Sequence, residues 1–318
     1  MVAPWAHAAR SDARDRGWLH SLSGDRGAPV VAAFREGLRS AGYVEGRNVA
    51  IEYRWGEGHY DRLPALAADL VSRKVDVILT GGGTVPILAA KQATSTIPIV
   101  FSIAGDPVGD GLVASLPQPG GNVTGVSFIG FELLPKRFEL LSELLPGARV
   151  FGLLVNPNPA IGTLARRTKK QIAIAQGAAR TKGLQLHIFE AGTQGEFEAT
   201  FLELAKLHAD ALVVVDDVVF YNQRAQFAAL AARHSLPAIY ELGEYVVAGG
   251  LMSYGTSLVG AYRLSAALVA RVLAGAKPAD LPVQQPTEFE LVINLKAAKA
   301  LGLTIPPTLL ARAHELIE

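Results

Sequence analysis

The chain has 318 residues, which at about 100–200 residues per domain accommodates two domains. Half of it is hydrophobic, enough for a full core, and that excludes a disordered chain. Thirty Lys and Arg against 29 Asp and Glu leave a formal charge of +1, and there is no cysteine. No basic excess therefore drives nucleic-acid binding, and disulfides, thiolate nucleophiles and cysteine-held metals are ruled out. The mean hydropathy is positive, +0.26. No apolar stretch approaches the roughly 18 residues of a spanning helix, so no stable membrane insertion is expected. The excess lies in short Val/Ile/Leu runs such as 75–79 and 211–215. Runs of that length mark strands buried on both faces, which belong to parallel sheets.

Residues 1–16 carry charges of both signs and no apolar core of a signal peptide, and they are expected to form an N-terminal extension. From Gly17 onward the pattern alternates. Helices are expected over 30–41, 62–73 and 84–92, with strands over 49–53, 75–80 and 97–101. The second half repeats this with strands over 150–155, 184–189, 211–215 and 238–241. Helices fall between them, over about 161–182, 196–207 and 222–234. Strands alternating with helices of 10–20 residues mean βαβ units.

The halves echo each other. Val75-Asp-Val-Ile-Leu79, a turn, a helix and Ile97-Pro-Ile-Val-Phe101 match Ala209-Asp-Ala-Leu-Val-Val-Val215, Asp216-Asp217, a helix and Leu236-Pro-Ala-Ile-Tyr240. The fold class is thus α/β, with two similar doubly wound parallel-sheet lobes; one large doubly wound sheet is the alternative. The first lobe is expected over 17–122 plus about 255–287 and the second over 123–254. Residues 288–318 would add a strand and helix near the joint. Breaks at 117–125 and 249–256 place the crossings.

Enzyme signatures fail. Gly81-Gly-Gly-Thr84 lacks the spacing of a dinucleotide loop or a P-loop, and Gly125-Val-Ser-Phe-Ile-Gly130 is one residue too long for a nucleophile elbow. The histidines make no metal-binding pair on a helix. Arg166, Arg167, Lys169 and Lys170 are read as a solvated helix face. No catalytic residue, metal or cofactor is expected.

What remains is a set of strand ends, where open α/β sheets bind ligands. Gly82, Gly83 and Thr84 follow one strand, with Thr84 placed as a helix N-cap whose neighbouring N–H groups suit a carboxylate. Asp106 follows the next strand. In the second lobe Asn156, Asp217 and Glu241 occupy matching ends. Three carboxylates there (Asp216, Asp217 and Glu241) would repel unless a cation such as an ammonium shares the place. Phe220, Tyr240 and Tyr254 are candidates to sandwich a flat ligand, or else belong to the core.

Several runs carry a family resemblance. They are Val31-Ala-Ala-Phe-Arg-Glu-Gly-Leu-Arg39, Gly42-Tyr-Val-Glu-Gly-Arg-Asn48, Ile51-Glu-Tyr-Arg-Trp55, Tyr60-Asp-Arg-Leu-Pro64, Gly105-Asp-Pro-Val108, Pro119-Gly-Gly-Asn-Val-Thr-Gly125, Gly249-Gly-Leu-Met-Ser-Tyr-Gly255 and Phe289-Glu-Leu-Val-Ile-Asn-Leu295. Over about 17–318 the chain resembles the substrate-binding proteins of ABC transporters with the type I periplasmic-binding-protein fold, in the tryptophan/tyrosine-binding-like branch. The resemblance implies a three-segment hinge between the lobes, a small-molecule ligand clamped by hinge closure, a permease partner and a periplasmic location. Any ligand contact from Ser21 or Ser23 depends on the first strand, expected to be the short Gly17-Trp-Leu-His20. Gly121, Gly125, Gly250 and Gly255 are candidates to absorb dihedral change at the joint.

The function expected is therefore an extracytoplasmic solute-binding protein for an amino acid or aromatic acid. A cytoplasmic ligand-sensing regulator of the same fold is the alternative, and residues 1–27 are too short and glycine-rich for a helix-turn-helix. A two-domain transferase would need a nucleotide loop or catalytic pair, and neither is found.

Overall fold

The computed structural model describes residues 14–128, 130–157 and 162–318. The chain divides into two compact units. Unit 1 comprises Met1–Phe128 and Leu258–Pro286, and unit 2 comprises Ile129–Ser257 and Thr287–Glu318, so the chain passes between them three times.

Unit 1 begins with β1 (Arg14–His20), α1 (Ala28–Ser40), β2 (Val49–Trp55) and α2 (Leu63–Ser72). It continues with β3 (Val77–Gly81), α3 (Thr84–Ala93), β4 (Ile99–Ala104) and β5 (Val123–Ser127). The sheet order is β2-β1-β3-β4-β5 and every pairing is parallel. Inner strand β3 is buried at every residue, whereas edge strand β2 is half-buried; β5, at the other edge, is buried throughout. Burial on both faces explains why β3 reads as a mostly apolar run. Leu19, Leu70, Ile78, Ile87, Ile99 and Phe101 pack one side of the sheet.

Unit 2 runs through α4 (Leu134–Leu144), β6 (Val150–Val155), α5 (Gly162–Lys182), β7 (Gln185–Glu190), α6 (Gln194–Lys206) and β8 (Ala211–Val214). Then come α7 (Val218–Asn222), α8 (Arg224–Arg233), β9 (Ala238–Tyr240), α9 (Gly243–Val247) and β10 (Met252–Thr256). The chain next returns to unit 1 for α10 (Leu258–Leu273), which packs on α1. It ends in unit 2 with β11 (Phe289–Asn294), α11 (Leu295–Ala300), α12 (Pro307–Leu310) and β12 (Glu315–Ile317). The second sheet has the order β12-β11-β10-β9-β8-β6-β7. Its segment β7-β6-β8-β9-β10 winds as β2-β1-β3-β4-β5 does in unit 1, so the internal echo of the sequence is a repeated topology. Only β11 runs antiparallel to its neighbour β10.

Several boundaries differ from expectation. β1 is seven residues long, because Arg14, Asp15 and Arg16 pair with Val49, Ala50 and Ile51. The last residues of the supposed extension 1–16 are thus strand, while 1–13 lie outside the described residues, as does Ile161 of the expected helix start. Val123–Ser127 pairs with β4 and joins the first sheet, so the passage expected at 122 falls after Phe128. The crossing expected within 249–256 is a strand, β10, in the second sheet.

Two supposed hinge glycines serve close packing instead. A Cβ on Gly125 would fall on the Phe101 carbonyl oxygen and ring, and one on Gly255 on the Glu241 carbonyl oxygen. Gly125→Ala is expected to cost about 1–3 kcal/mol, the range for overpacking a filled site. Urea unfolding measures it, and an unchanged midpoint would show that β4 and β5 yield freely there.

Candidate functional site

A sheet wound in this order reverses direction between its first and third strands, and the crevice beyond their carboxyl ends is where such sheets bind ligands. Each unit has one such switch point, at β1/β3 and at β6/β8.

In unit 1 the switch point is closed by its own groups. Ser21 Oγ donates to the Gly82 carbonyl at 2.7 Å. His20 Nδ1 accepts the Leu22 N–H at 3.0 Å, which puts the ring proton on Nε2, 2.7 Å from the Tyr262 hydroxyl. Burial lowers the His20 pKa to about 3, so the ring is neutral. Gly82 and Gly83 turn the chain with φ of 79° and 94°. Thr84 is not the N-cap of α3. Gly83 holds that position, and Thr84 is the first helical residue, its hydroxyl donating to Asp110 Oδ2 at 3.0 Å. Pro86 has no N–H to offer in this first turn, which leaves the donors of Gly83, Thr84 and Val85. Ser23 is half-buried, and its hydroxyl helps hold the Asp25 carboxyl below its ordinary pKa. Asp106 Oδ1 accepts the Gly109 N–H at 2.9 Å and closes the turn after β4.

In unit 2 the switch point holds charge. Asn156 follows β6, and its Nδ2 donates to Asp217 Oδ1 at 3.0 Å across the reversal. The same oxygen accepts the Val219 N–H at 2.8 Å, so Asp217 is the N-cap of α7. A recess of about 10 Å³ lies here, lined by Asn156, Arg167, Thr168, Gln171, Asp216 and Asp217. That is room for one water-sized group. Arg167 Nη2 lies 3.5 Å from Asp216 Oδ2. Burial, reinforced by the Glu241 charge, pushes the Asp216 carboxyl up to about 7, against the pull of Arg167. Burial also raises the Asp217 carboxyl, against its hydrogen bonds from Asn156 and Val219.

Behind this recess Arg137 of α4 is fully buried. Its Nε donates to the Tyr254 carbonyl at 2.8 Å, and its Nη1 lies 3.2 Å from Glu241 Oε2. Glu241, expected to meet a ligand amine, therefore faces an arginine of its own unit. The aromatic candidates are corrected too. Phe220 is fully buried, its ring centroid 5.6 Å from Phe197 and 5.2 Å from Phe227. Tyr240 is fully buried and stacks on Tyr245 at 4.6 Å. Both belong to the core, because inward positions of a helix and strand bury their rings against neighbouring elements. Tyr254 is half-buried, beside Phe289 at 6.2 Å.

Two charged residues escaped sequence reasoning as site residues: Arg137 and Arg167. Arg137 sits on α4, which had no place among the expected elements. Arg167 was grouped with Arg166, Lys169 and Lys170, yet only those three are exposed. The signal was helical spacing, since Arg167, Thr168 and Gln171 share the face that lines the recess. Among the described residues no group of His, Asp or Glu side chains is arranged to hold a metal ion.

Removing one partner of a buried pair strands the other. Arg137→Ala is expected to cost about 3–5 kcal/mol in chemical unfolding. A cost under about 1 kcal/mol, the range of exposed pairs, would contradict the buried arrangement.

Comparison with known proteins places these features in context. The family described as ABC transporter substrate binding protein matches residues 19–317. A tyrosine-binding protein of Clostridioides difficile is 28% identical over 270 residues, covering 85% of this chain and 75% of that protein. A solved structure of a conserved domain protein from Vibrio cholerae superposes with a TM-score of 0.86 at 28% identity, covering 96% of this chain and 99% of that one. An ABC domain from Streptococcus pneumonia in complex with L-Trp gives a TM-score of 0.86 at 26% identity, covering 96% of this chain and all of that one.

Proposed function

The chain belongs to the ABC transporter substrate-binding protein family, a family of solute-binding proteins and not of enzymes, and from that premise we propose that it captures an amino acid or related aromatic carboxylate for an importer. The observation that carries this reading is the acid-lined recess at the β6/β8 switch point, sized for a single small polar group. A ligand ammonium placed there meets Asp216, while Asp217 is engaged as a cap and Glu241 by Arg137. In unit 1 the N–H groups at the head of α3 suit the carboxylate. Taken separately, the strand-end groups of unit 2 suit an ammonium and those of unit 1 suit a carboxylate. The names of the tyrosine-binding relative and the L-Trp complex support an aromatic amino acid. A permease partner and action outside the cytoplasm complete the proposal. No helix among the described residues is long and apolar enough to cross a membrane.

Calorimetric titration with L-tyrosine, L-tryptophan, 3-indolepropionate and glucose tests the class. The amino acids are expected to bind most tightly and glucose not at all, and preference for the sugar would refute the reading. Thr84→Val removes a hydroxyl already given to Asp110. It is expected to lower stability by about 1–3 kcal/mol while leaving Kd nearly unchanged. A large loss of affinity without a stability change would assign that hydroxyl to the ligand.

A further inference from the structure

The charged groups at the β6/β8 switch point do not balance. Three carboxylates, Asp216, Asp217 and Glu241, meet two guanidinium groups, Arg137 from α4 and Arg167 from α5. Uncharged groups also face Asp216, and Arg224 and Glu244 act on the Tyr221 beside it. Asn156, Thr168 and Gln171 line the recess, and Tyr221 of α7 and Tyr245 of α9 are pushed up by burial and stay protonated. The three acids are also engaged differently. Asp217 accepts two N–H bonds, and Glu241 lies against fully buried Arg137. Asp216 has only the 3.5 Å approach of Arg167, and no hydrogen bond among the described residues reaches its carboxylate. It keeps 15% of its side chain exposed beside the recess. With all three acids ionised these five groups lack one positive charge, and Asp216 is the acid least engaged.

We propose that the recess takes the ligand's primary ammonium in exchange for a proton held by Asp216, so that capture of ligand releases one proton. This rests on the amino-acid reading above. The exchange involves no covalent step. The proton leaves the Asp216 carboxyl for solvent, and the ammonium sits against the carboxylate that remains. The size of the recess limits the group to an –NH3+ head, since bulkier cations exceed the space of a single water. The sign of the pH effect follows. Below about 7 Asp216 is protonated in the free protein, so a ligand must displace that proton, and affinity falls as pH falls.

The test is calorimetric titration of the full chain with L-tryptophan and L-tyrosine, in two buffers of different ionisation enthalpy, between pH 5.5 and 7. In this range the ligand ammonium stays protonated. The expected result is about half a proton released per ligand at pH 7 and about 0.9 at pH 6, with Kd about fivefold weaker at pH 6 than at pH 7. Asp216→Asn should bind with no proton release and a Kd flat across the range, which separates Asp216 from the histidines. A wild-type complex that forms without releasing a proton overturns the exchange and leaves the amino-acid reading standing. If 3-indolepropionate binds as tightly as L-tryptophan, ammonium recognition fails and the exchange falls with it. Absence of binding by both amino acids overturns both. Should Asp216→Asn lose its fold, the wild-type two-buffer comparison decides.

Discussion

A guanidinium cannot be taken fully out of water without a carboxylate to meet it, and Arg137 imposes that constraint on unit 2. Its Nε bond to the Tyr254 carbonyl ties α4 to β10, and its approach to Glu241 uses the acid at the end of β9. The consequences spread along the carboxyl edge of the sheet. With Glu241 occupied and Asp217 capping α7, the acid left facing the recess is Asp216. Burial and its neighbours then set its proton affinity, because a buried carboxyl beside the acids Glu241 and Asp217 holds its proton near neutral pH against the pull of Arg167 and Arg137.

The two units show how one winding order supports different uses. Both reverse direction between their first and third strands. In unit 1 the crevice is filled by Ser21 bonding to Gly82 and by neutral His20 bonding to Tyr262. Its usable chemistry lies in backbone N–H groups at the head of α3, a neutral and rigid surface. In unit 2 the crevice holds ionised side chains around an open recess.

The parallel-sheet class and the duplicated architecture were legible because strands such as β3, β6 and β8 are mostly apolar runs and the turns after β3 and β8 are glycine- or acid-rich. The site was legible only by address. Strand ends can be located from pattern, and Asn156 and Asp217 do meet at one. Orientation could not be read. Tyr240 and Phe220 have the chemistry of a ligand sandwich but are turned into the core, and Glu241 meets an arginine 104 positions away in sequence. Such pairings depend on which elements the fold stacks together. Thr84 failed for a local reason, since the helix begins one residue earlier than its hydroxyl suggested and that hydroxyl has a carboxylate partner. Gly125 failed similarly, because a glycine needed for close approach looks in sequence like one needed for freedom.

The central claim is that Asp216 is the acid that receives the ligand, and a crystal structure of the protein with L-tryptophan bound tests it most directly. The account predicts the ligand nitrogen within about 3 Å of an Asp216 carboxylate oxygen. It also predicts that Asp217 still caps α7 and that Glu241 still faces Arg137. A ligand whose nitrogen lies away from Asp216, or which fills the recess with its carboxylate or ring, would contradict it.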